Sequence, residues 1–176
     1  SQAAFWYAAK ALGSPVSICG LDPASVQPDA RVDALSRQLA QARGELSIDV
    51  SQCPDLFPAL ALMAAARPGL ATRIGGGARL RIKESDRIAA VADVLSALGV
   101  LVEQFPDGIR VTGRDGFQGG MALSCHNDHR IAMMAAIAAT RCQAPVTLLG
   151  AQCVDKSYPS FWDDYEALGG RIAPAE

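Results

Sequence analysis

An internal repeat constrains the fold of this chain more than any other feature of its sequence. Asp128 follows Asp55 at an interval of 73 residues, and Lys156 follows Lys83 at the same interval. In both copies the aspartate stands at the start of one predicted helix and the lysine stands ahead of the next. The beginning of the chain repeats the order helix, strand, helix, strand more loosely. Repeats of this kind form similar supersecondary units. The sequence therefore predicts three related α+β units in one domain, residues 1–176.

Hydrophobic periodicity and turn residues locate the helices and strands of these units. The predicted helices span 1–12 (with Ser1 as N-cap), 29–42, 53–66, 88–98, 131–140 and 161–168. The predicted strands span 16–20, 46–50, 70–74, 101–105, 109–111, 121–125 and 145–149. The fourth and fifth strands form a hairpin around the turn at 106–108. The fold class predicted is therefore mixed α/β.

A charged segment lies directly ahead of one predicted helix. Residues 81–87 contain three cations and two carboxylates, and an apolar helix follows them at once. We expect Ser85 to be the N-cap of that helix and Gly99 to follow its end. A helix N-terminus offers free N–H groups and a positive dipole end, so Lys83 and Arg87 beside it predict a site for phosphate or carboxylate. Taken alone, such a cluster is more often a solvated loop that caps a helix.

Composition argues against several functional classes. The net charge of −2, with 19% charged residues, gives no basic field of the kind that binds nucleic acid. No apolar run is long enough to cross a bilayer, and no secretory pattern opens the chain. The five cysteines are scattered without a C-x-x-C, and two histidines make a zinc site improbable. These features predict a reduced, cytoplasmic protein that uses neither a metal nor another cofactor.

Repeat symmetry predicts that equivalent helix starts meet at one face of the domain. That face would carry Lys83, Arg87, Arg130 and Lys156, with Asp55, Glu84, Asp128 and His129 among them. Such a mixture fits a small substrate with several negative groups and a need for proton transfer. Each residue also has a structural explanation, since the aspartates suit helix caps and the lysines suit the surface. Two pairs in register across a repeat favour the functional interpretation.

Four motifs resemble those of the EPSP synthase (3-phosphoshikimate 1-carboxyvinyltransferase) family, the enolpyruvyl transferases of the shikimate pathway. They are PDLFP at 54–58, KESDR at 83–87 followed by IAA, NDHR at 127–130 followed by IAMM, and DKSYP at 155–159. The opening SQAAFW is similar to the family's sequence just after its crossover back into its first domain. The resemblance covers essentially all 176 residues. It implies one domain of the enolpyruvyl transferase fold, with three βαβαββ units around a pseudo-threefold axis.

The resemblance also implies a reaction and a role for each candidate residue. The enolpyruvyl group of phosphoenolpyruvate would pass to the 5-hydroxyl of shikimate-3-phosphate through a tetrahedral intermediate, with release of phosphate. Asp55 and Lys83 would bind shikimate-3-phosphate. Asp55 would take the hydroxyl proton, Lys83 would be a catalytic residue that shares this proton transfer, and Glu84 would protonate the methylene carbon. The implied phosphoenolpyruvate-binding residues are Arg87, Arg130, Lys156, His129 and Asp128. Positioned acids, bases and cations suffice for both steps, without a metal.

The resemblance further implies that a partner domain is missing from this chain. In the family, that N-terminal domain supplies most contacts to shikimate-3-phosphate and one more arginine for phosphoenolpyruvate. We therefore expect the chain alone to be inactive, and its parent to be a monomeric enzyme of aromatic amino acid biosynthesis with glyphosate as a candidate inhibitor. Arg79 departs from the family, because relatives carry Asn or His at this position.

Two alternatives remain open at this point. The enzyme that transfers enolpyruvate to UDP-N-acetylglucosamine shares the fold, but it lacks the KESDR and NDHR pair and uses a reactive cysteine in a mobile loop. None of the five cysteines here lies in an obvious cationic loop. The second alternative is a non-catalytic binding module of the same fold, which would not need acids, bases and cations together.

Overall fold

Most helices and strands lie where the apolar periodicity predicts them. The computed structural model describes residues 2–22 and 24–174, and all elements below lie within them. The α-helices are α1 (Ala3–Ala11), α2 (Val32–Gln41), α3 (Phe57–Ala65), α4 (Arg87–Ala97), α5 (His129–Ala139) and α6 (Phe161–Ala167). The strands are β1 (Glu45–Asp49), β2 (Ala71–Gly75), β3 (Leu101–Phe105), β4 (Gly108–Thr112), β5 (Ala122–Ser124) and β6 (Thr147–Leu149). Short 3₁₀ helices occupy Pro28–Arg31, Pro54–Leu56, Ala78–Ile82 and Ala151–Lys156.

The strands form a four-stranded sheet and a separate two-stranded pair. The larger sheet has the order β1-β2-β4-β3, in which β1 and β2 are parallel and β4 runs antiparallel to both of its neighbours. In the second sheet β5 and β6 are parallel. Residues 45–112 therefore complete the order β1, α3, β2, α4, β3, β4, which is one βαβαββ unit. The following β5, α5, β6 and α6 repeat its first four elements.

Three helices occupy equivalent inner positions in the domain. Each of α1, α3 and α5 packs against the other two, and α4 packs against both α3 and α5. All nine residues of α3 are buried, which agrees with a sequence that is apolar on every side. The 3₁₀ helices Ala78–Ile82 and Ala151–Lys156 begin 73 residues apart, at the spacing of the sequence repeat. The predicted fold class, a repeated mixed α/β domain, is confirmed.

Two sequence predictions about local structure are wrong. Residues 16–20 form no strand, because among the described residues no neighbouring strand pairs with them, although Val16 is buried as the alternation predicted. Asp86, not Ser85, is the N-cap of α4, since its Oδ1 accepts the N–H of Ala89 at 3.1 Å. A carboxylate caps a helix as well as a hydroxyl does. The predicted cap Ser1 lies outside the described residues. In the part of the chain that is described, no helix is long and apolar enough to span a bilayer.

Candidate active site

The starts of three helices meet at one face of the domain. Asp55 lies in the 3₁₀ turn that leads into α3, Arg87 is the first residue of α4, and Asp128 is the N-cap of α5. The first turns of helices leave N–H groups without intrahelical partners, and the Oδ1 of Asp128 accepts one of them, from Arg130, at 2.9 Å. The convergence that repeat symmetry predicted is therefore present, and it brings together residues from two units.

Arg87 is the centre of the cluster. Its side chain is only 1% exposed and donates to three carboxylates. Nη1 contacts Asp55 Oδ1 at 2.8 Å, Nη2 contacts Glu84 Oε2 at 2.5 Å, and Nε contacts Asp128 Oδ2 at 2.8 Å. The N–H groups of a guanidinium lie in one plane and point in several directions, so they can donate to several carboxylates at once, which a lysine ammonium cannot do with the same fixed geometry. Arg87 therefore fixes three acidic groups relative to each other.

Asp128 anchors Arg87 from inside the domain. Its side chain is fully buried, and its two oxygens accept from the Ser85 hydroxyl at 3.0 Å, from Arg87 and from the N–H of Arg130. Burial raises the pKa of this carboxyl, but the hydrogen bonds and charge of Arg87 outweigh burial and hold the pKa below its ordinary value. Asp128 is therefore an ionised, fully hydrogen-bonded group.

Asp55 lies between the buried centre and solvent. Its side chain is 32% exposed, and Arg130 Nη2 donates to its Oδ2 at 3.0 Å while Lys83 Nζ lies 3.6 Å from its Oδ1. Burial raises the pKa of Asp55, but the charges of Arg130, Lys83 and Arg87 together lower it below the ordinary value. The result is an ionised carboxylate that three cations orient and that a ligand can reach.

The remaining predicted site residues surround this centre. Lys83 and Glu84 are exposed, with side-chain exposures of 35% and 46%. Lys156 Nζ donates to Asn127 Oδ1 at 2.9 Å. Asn127 and the preceding His126 both have a positive φ. His129 is buried, and burial followed by the charge of Arg130 lowers its pKa, so its imidazole is neutral at neutral pH. Every predicted site residue therefore lies at or beside this face.

Sequence reasoning missed one member of the cluster. Ser85 was expected to cap α4, but its hydroxyl donates across 43 residues to the buried carboxylate of Asp128. No local pattern could have shown this contact, because the two residues belong to different repeat units. Arg79, the position that departs from the family, is exposed on the 3₁₀ helix that precedes the charged segment.

The cluster lies on an open face rather than in a closed cavity. A cavity of about 780 Å³ exists elsewhere, between α5, β6 and α6, and Val146, Leu148 and Trp162 are among its lining residues. None of the predicted site residues lines that cavity. The partly exposed Asp55, Lys83 and Glu84 instead present their charges at the surface, where a second surface could close over them.

The cysteines are poorly placed to act as nucleophiles. Burial raises the pKa of Cys53 and Cys153, that of Cys125 to about 12, and that of Cys142 to about 11. A thiol must lose its proton to react, so these four remain inert at neutral pH. Cys19 is exposed. Among the described residues, no group of three or more His, Cys, Asp and Glu is arranged to hold a metal ion.

Comparisons with known proteins agree on one family. The sequence model of EPSP synthase (3-phosphoshikimate 1-carboxyvinyltransferase) matches residues 1–165. The 3-phosphoshikimate 1-carboxyvinyltransferases of Clostridium perfringens and Clostridium acetobutylicum are each 43% identical to the chain, over 97% and 98% of its length. The solved EPSP synthase of Acinetobacter baumannii matches 99% of the chain with a TM-score of 0.82 and 27% identity.

The chain is shorter than these relatives. It spans 43% and 42% of the two clostridial proteins and 46% of the Acinetobacter chain. The matched region therefore corresponds to somewhat less than half of each of these proteins.

Proposed function

The chain belongs to the EPSP synthase (3-phosphoshikimate 1-carboxyvinyltransferase) family, and we propose that it carries the acid, base and phosphoenolpyruvate-binding half of such an enzyme. The proposed reaction transfers the enolpyruvyl group of phosphoenolpyruvate to the 5-hydroxyl of shikimate-3-phosphate and releases phosphate. One observation carries this proposal: a reachable carboxylate, Asp55, contacts three cations at the face where two repeat units meet. An anionic substrate and a proton acceptor can be placed side by side there.

The addition step uses the two reachable carboxyl groups. As the 5-hydroxyl oxygen bonds to C2 of phosphoenolpyruvate, Asp55 accepts the hydroxyl proton. Lys83, whose Nζ lies 3.6 Å from Asp55 Oδ1, holds the same hydroxyl. The C3 methylene carbon gains a proton from Glu84, whose side chain is 46% exposed. The product of this step is a tetrahedral intermediate with a methyl group at C3. Fixed positions of the reacting groups lower the entropic part of the barrier.

The elimination step uses the cations. Glu84, left as a carboxylate by the addition step, takes a proton back from the C3 methyl group, the C2–C3 double bond returns, and the bond from C2 to the phosphate oxygen breaks. The departing phosphate takes the proton that Asp55 holds. Charge develops on the departing phosphate, and preorganised cations stabilise that charge most effectively. We propose that Arg130 and Lys156 contact the phosphate and carboxylate of phosphoenolpyruvate, with His129 and Asp128 beside them. Arg87 adds its charge from the buried side of Asp55 and Glu84. An incoming anion would compete with Glu84 for the Nη2 donor of Arg87.

The rest of the parent protein completes this proposal. The open face needs a covering surface to exclude water, and the chain spans only 43% of its clostridial relatives. We propose that the remaining part supplies further contacts to shikimate-3-phosphate and one more arginine for phosphoenolpyruvate. We further propose that the parent is a monomeric cytoplasmic enzyme with glyphosate as a candidate inhibitor, and that the chain alone does not turn over.

Phosphate release tests the proposal. Phosphoenolpyruvate and shikimate-3-phosphate are supplied to the chain alone and then to the chain recombined with the rest of its parent protein. We expect release only on recombination. Glu84→Gln should lower kcat about 100-fold, as loss of a general acid does, while Glu103→Gln on β3, also exposed, should not. A recombined protein that binds both substrates without releasing phosphate would overturn the proposal.

A further inference from the structure

We propose that Ser85 is a positioning residue of this site, an inference that rests on the proposed function. Its hydroxyl fixes the buried carboxylate of Asp128, and through it the Arg87 guanidinium and the segment that carries Lys83 and Glu84. Ser85 has no role in the chemistry described above, and the carboxylate that its hydroxyl contacts, Asp128, is fully buried behind the reachable groups. Its effect on the reaction is therefore indirect and can be separated from binding.

Both oxygens of the Asp128 carboxylate accept hydrogen bonds. Its Oδ2 accepts from Ser85 Oγ at 3.0 Å and from Arg87 Nε at 2.8 Å, while its Oδ1 accepts from the N–H of Arg130 at 2.9 Å. A buried carboxylate is stable only when its lone pairs are occupied. In this environment the position of each donor constrains the others, so removal of the Ser85 donor lets the carboxylate rotate within its site.

The hydrogen bond between Ser85 and Asp128 differs in burial from the ion pairs of Lys83 and Glu84. Lys83 pairs with the partly exposed Asp55, and Glu84, whose own side chain is 46% exposed, pairs with the buried Arg87. An ion pair with a solvent-exposed member contributes less and weakens in salt. The hydrogen bond of the partly buried Ser85 reaches a fully buried, charged acceptor, so salt screens it less. Ser85 therefore ties the segment 83–85 directly to the N-cap of α5.

The contact between Ser85 and Asp128 also affects the positions of the candidate acid, Glu84, and the candidate base, Asp55. Glu84 is adjacent to Ser85 in the chain, so movement of Ser85 moves Glu84 directly. Asp55 contacts Nη1 of Arg87, so rotation of the guanidinium plane moves Asp55 as well. One hydroxyl thus determines the relative position of two groups that must act on one substrate. Misplacement by a fraction of an ångström lowers the rate of such a reaction more than the affinity for substrate.

The test uses three variants, Ser85→Ala, Ser85→Thr and the control Ser96→Ala, which alters an exposed serine of α4. The first readout is hydrogen exchange of the Arg87 Nε–H, measured by NMR on this chain alone. The second is kcat and KM of the recombined enzyme, per folded molecule. For Ser85→Ala we expect exchange about tenfold faster and kcat about tenfold lower, with KM for phosphoenolpyruvate changed less than threefold. Ser85→Thr, which keeps the hydroxyl, should restore both.

Each outcome is decisive. Unchanged Arg87 exchange in Ser85→Ala, or a kcat within twofold of Ser96→Ala, would overturn the positioning role. A rise in KM with constant kcat would assign Ser85 to binding instead, and would also overturn it. If the wild-type recombined enzyme releases no phosphate, the proposed function itself fails, and the catalytic role of Ser85 fails with it. In that case the exchange measurement still decides whether Ser85 orients Arg87.

Discussion

Removal of the charge of Asp128 should destabilise the domain without disturbing its helix cap. Asp128→Asn keeps an oxygen that can accept the N–H of Arg130, and asparagine is a good N-cap. What it removes is the negative charge facing Arg87, whose side chain is 1% exposed. The perturbation therefore keeps the cap and removes the charge of the buried ion pair, together with the Oδ2 acceptor that Ser85 shares with Arg87.

The magnitude follows from the contacts. Arg87 donates two hydrogen bonds to Asp128, at 2.8 and 3.4 Å, and a charge-assisted hydrogen bond contributes about 1.5 kcal/mol or more. Arg87 keeps Asp55 and Glu84 as partners, so the loss lies at the lower end of the range for a broken buried pair, about 3 kcal/mol. For a domain of this size that loss corresponds to a melting temperature lower by about 9 °C.

Urea unfolding at pH 7 measures this change, with Asp93→Asn as the matched control. Asp93 is an exposed partner of His126 at 3.7 Å on the surface, and its loss should change the free energy of unfolding by less than about 0.5 kcal/mol. Equal effects of Asp128→Asn and Asp93→Asn, with unchanged m-values, would refute the reasoning. Such a result would mean that desolvation of the pair offsets its attraction.

Three further predictions concern pH, thiol reactivity and backbone packing. The pKa of Asp128 in the folded protein lies below its ordinary value of 3.8. The stability that this carboxylate contributes is therefore complete above pH 3.8 and is lost as the pH falls through the folded pKa. Between pH 5 and pH 2, the free energy of unfolding in urea should consequently fall less for Asp128→Asn than for the wild type. Exposed Cys19 should react with Ellman's reagent in the native protein at pH 7, whereas Cys125, with a pKa of about 12, should react only on unfolding. Gly108→Ala should cost about 3 kcal/mol in urea unfolding, because its β-carbon would collide with the Ile74 carbonyl oxygen in the facing strand; a native-like midpoint would contradict this.

Local sequence patterns predicted most helices and strands because their signals are local. The apolar run of α3, the alternation in β1 and the turn between β3 and β4 each depend on residues a few positions apart. The strand predicted at residues 16–20 is absent because strand pairing is not a local property. A strand exists only with a partner, and the alternation around Val16 says nothing about whether a partner is available.

In the candidate site, too, some features followed from the sequence and others only from tertiary packing. The repeat correctly predicted that Asp55 and Asp128 stand at equivalent helix starts and that Lys83 and Lys156 stand ahead of the next helices, because a constant interval implies equivalent places in similar units. Both lysines lie at the ends of equivalent 3₁₀ helices. Motif spacing likewise placed Arg87 beside them. It did not predict that Arg87 and Asp128 are buried while Lys83 and Glu84 remain exposed.

The sequence by itself therefore determined the order of elements, the repeated units and the charged residues at one face. The tertiary structure alone decided which charges are withdrawn from solvent and which remain reachable. The physical reason is the range of the contacts: Arg87 meets Asp128 across 41 residues, and Arg130 meets Asp55 across 75. Burial and pairing at such separations depend on how whole units pack, and no local pattern of residues records that packing.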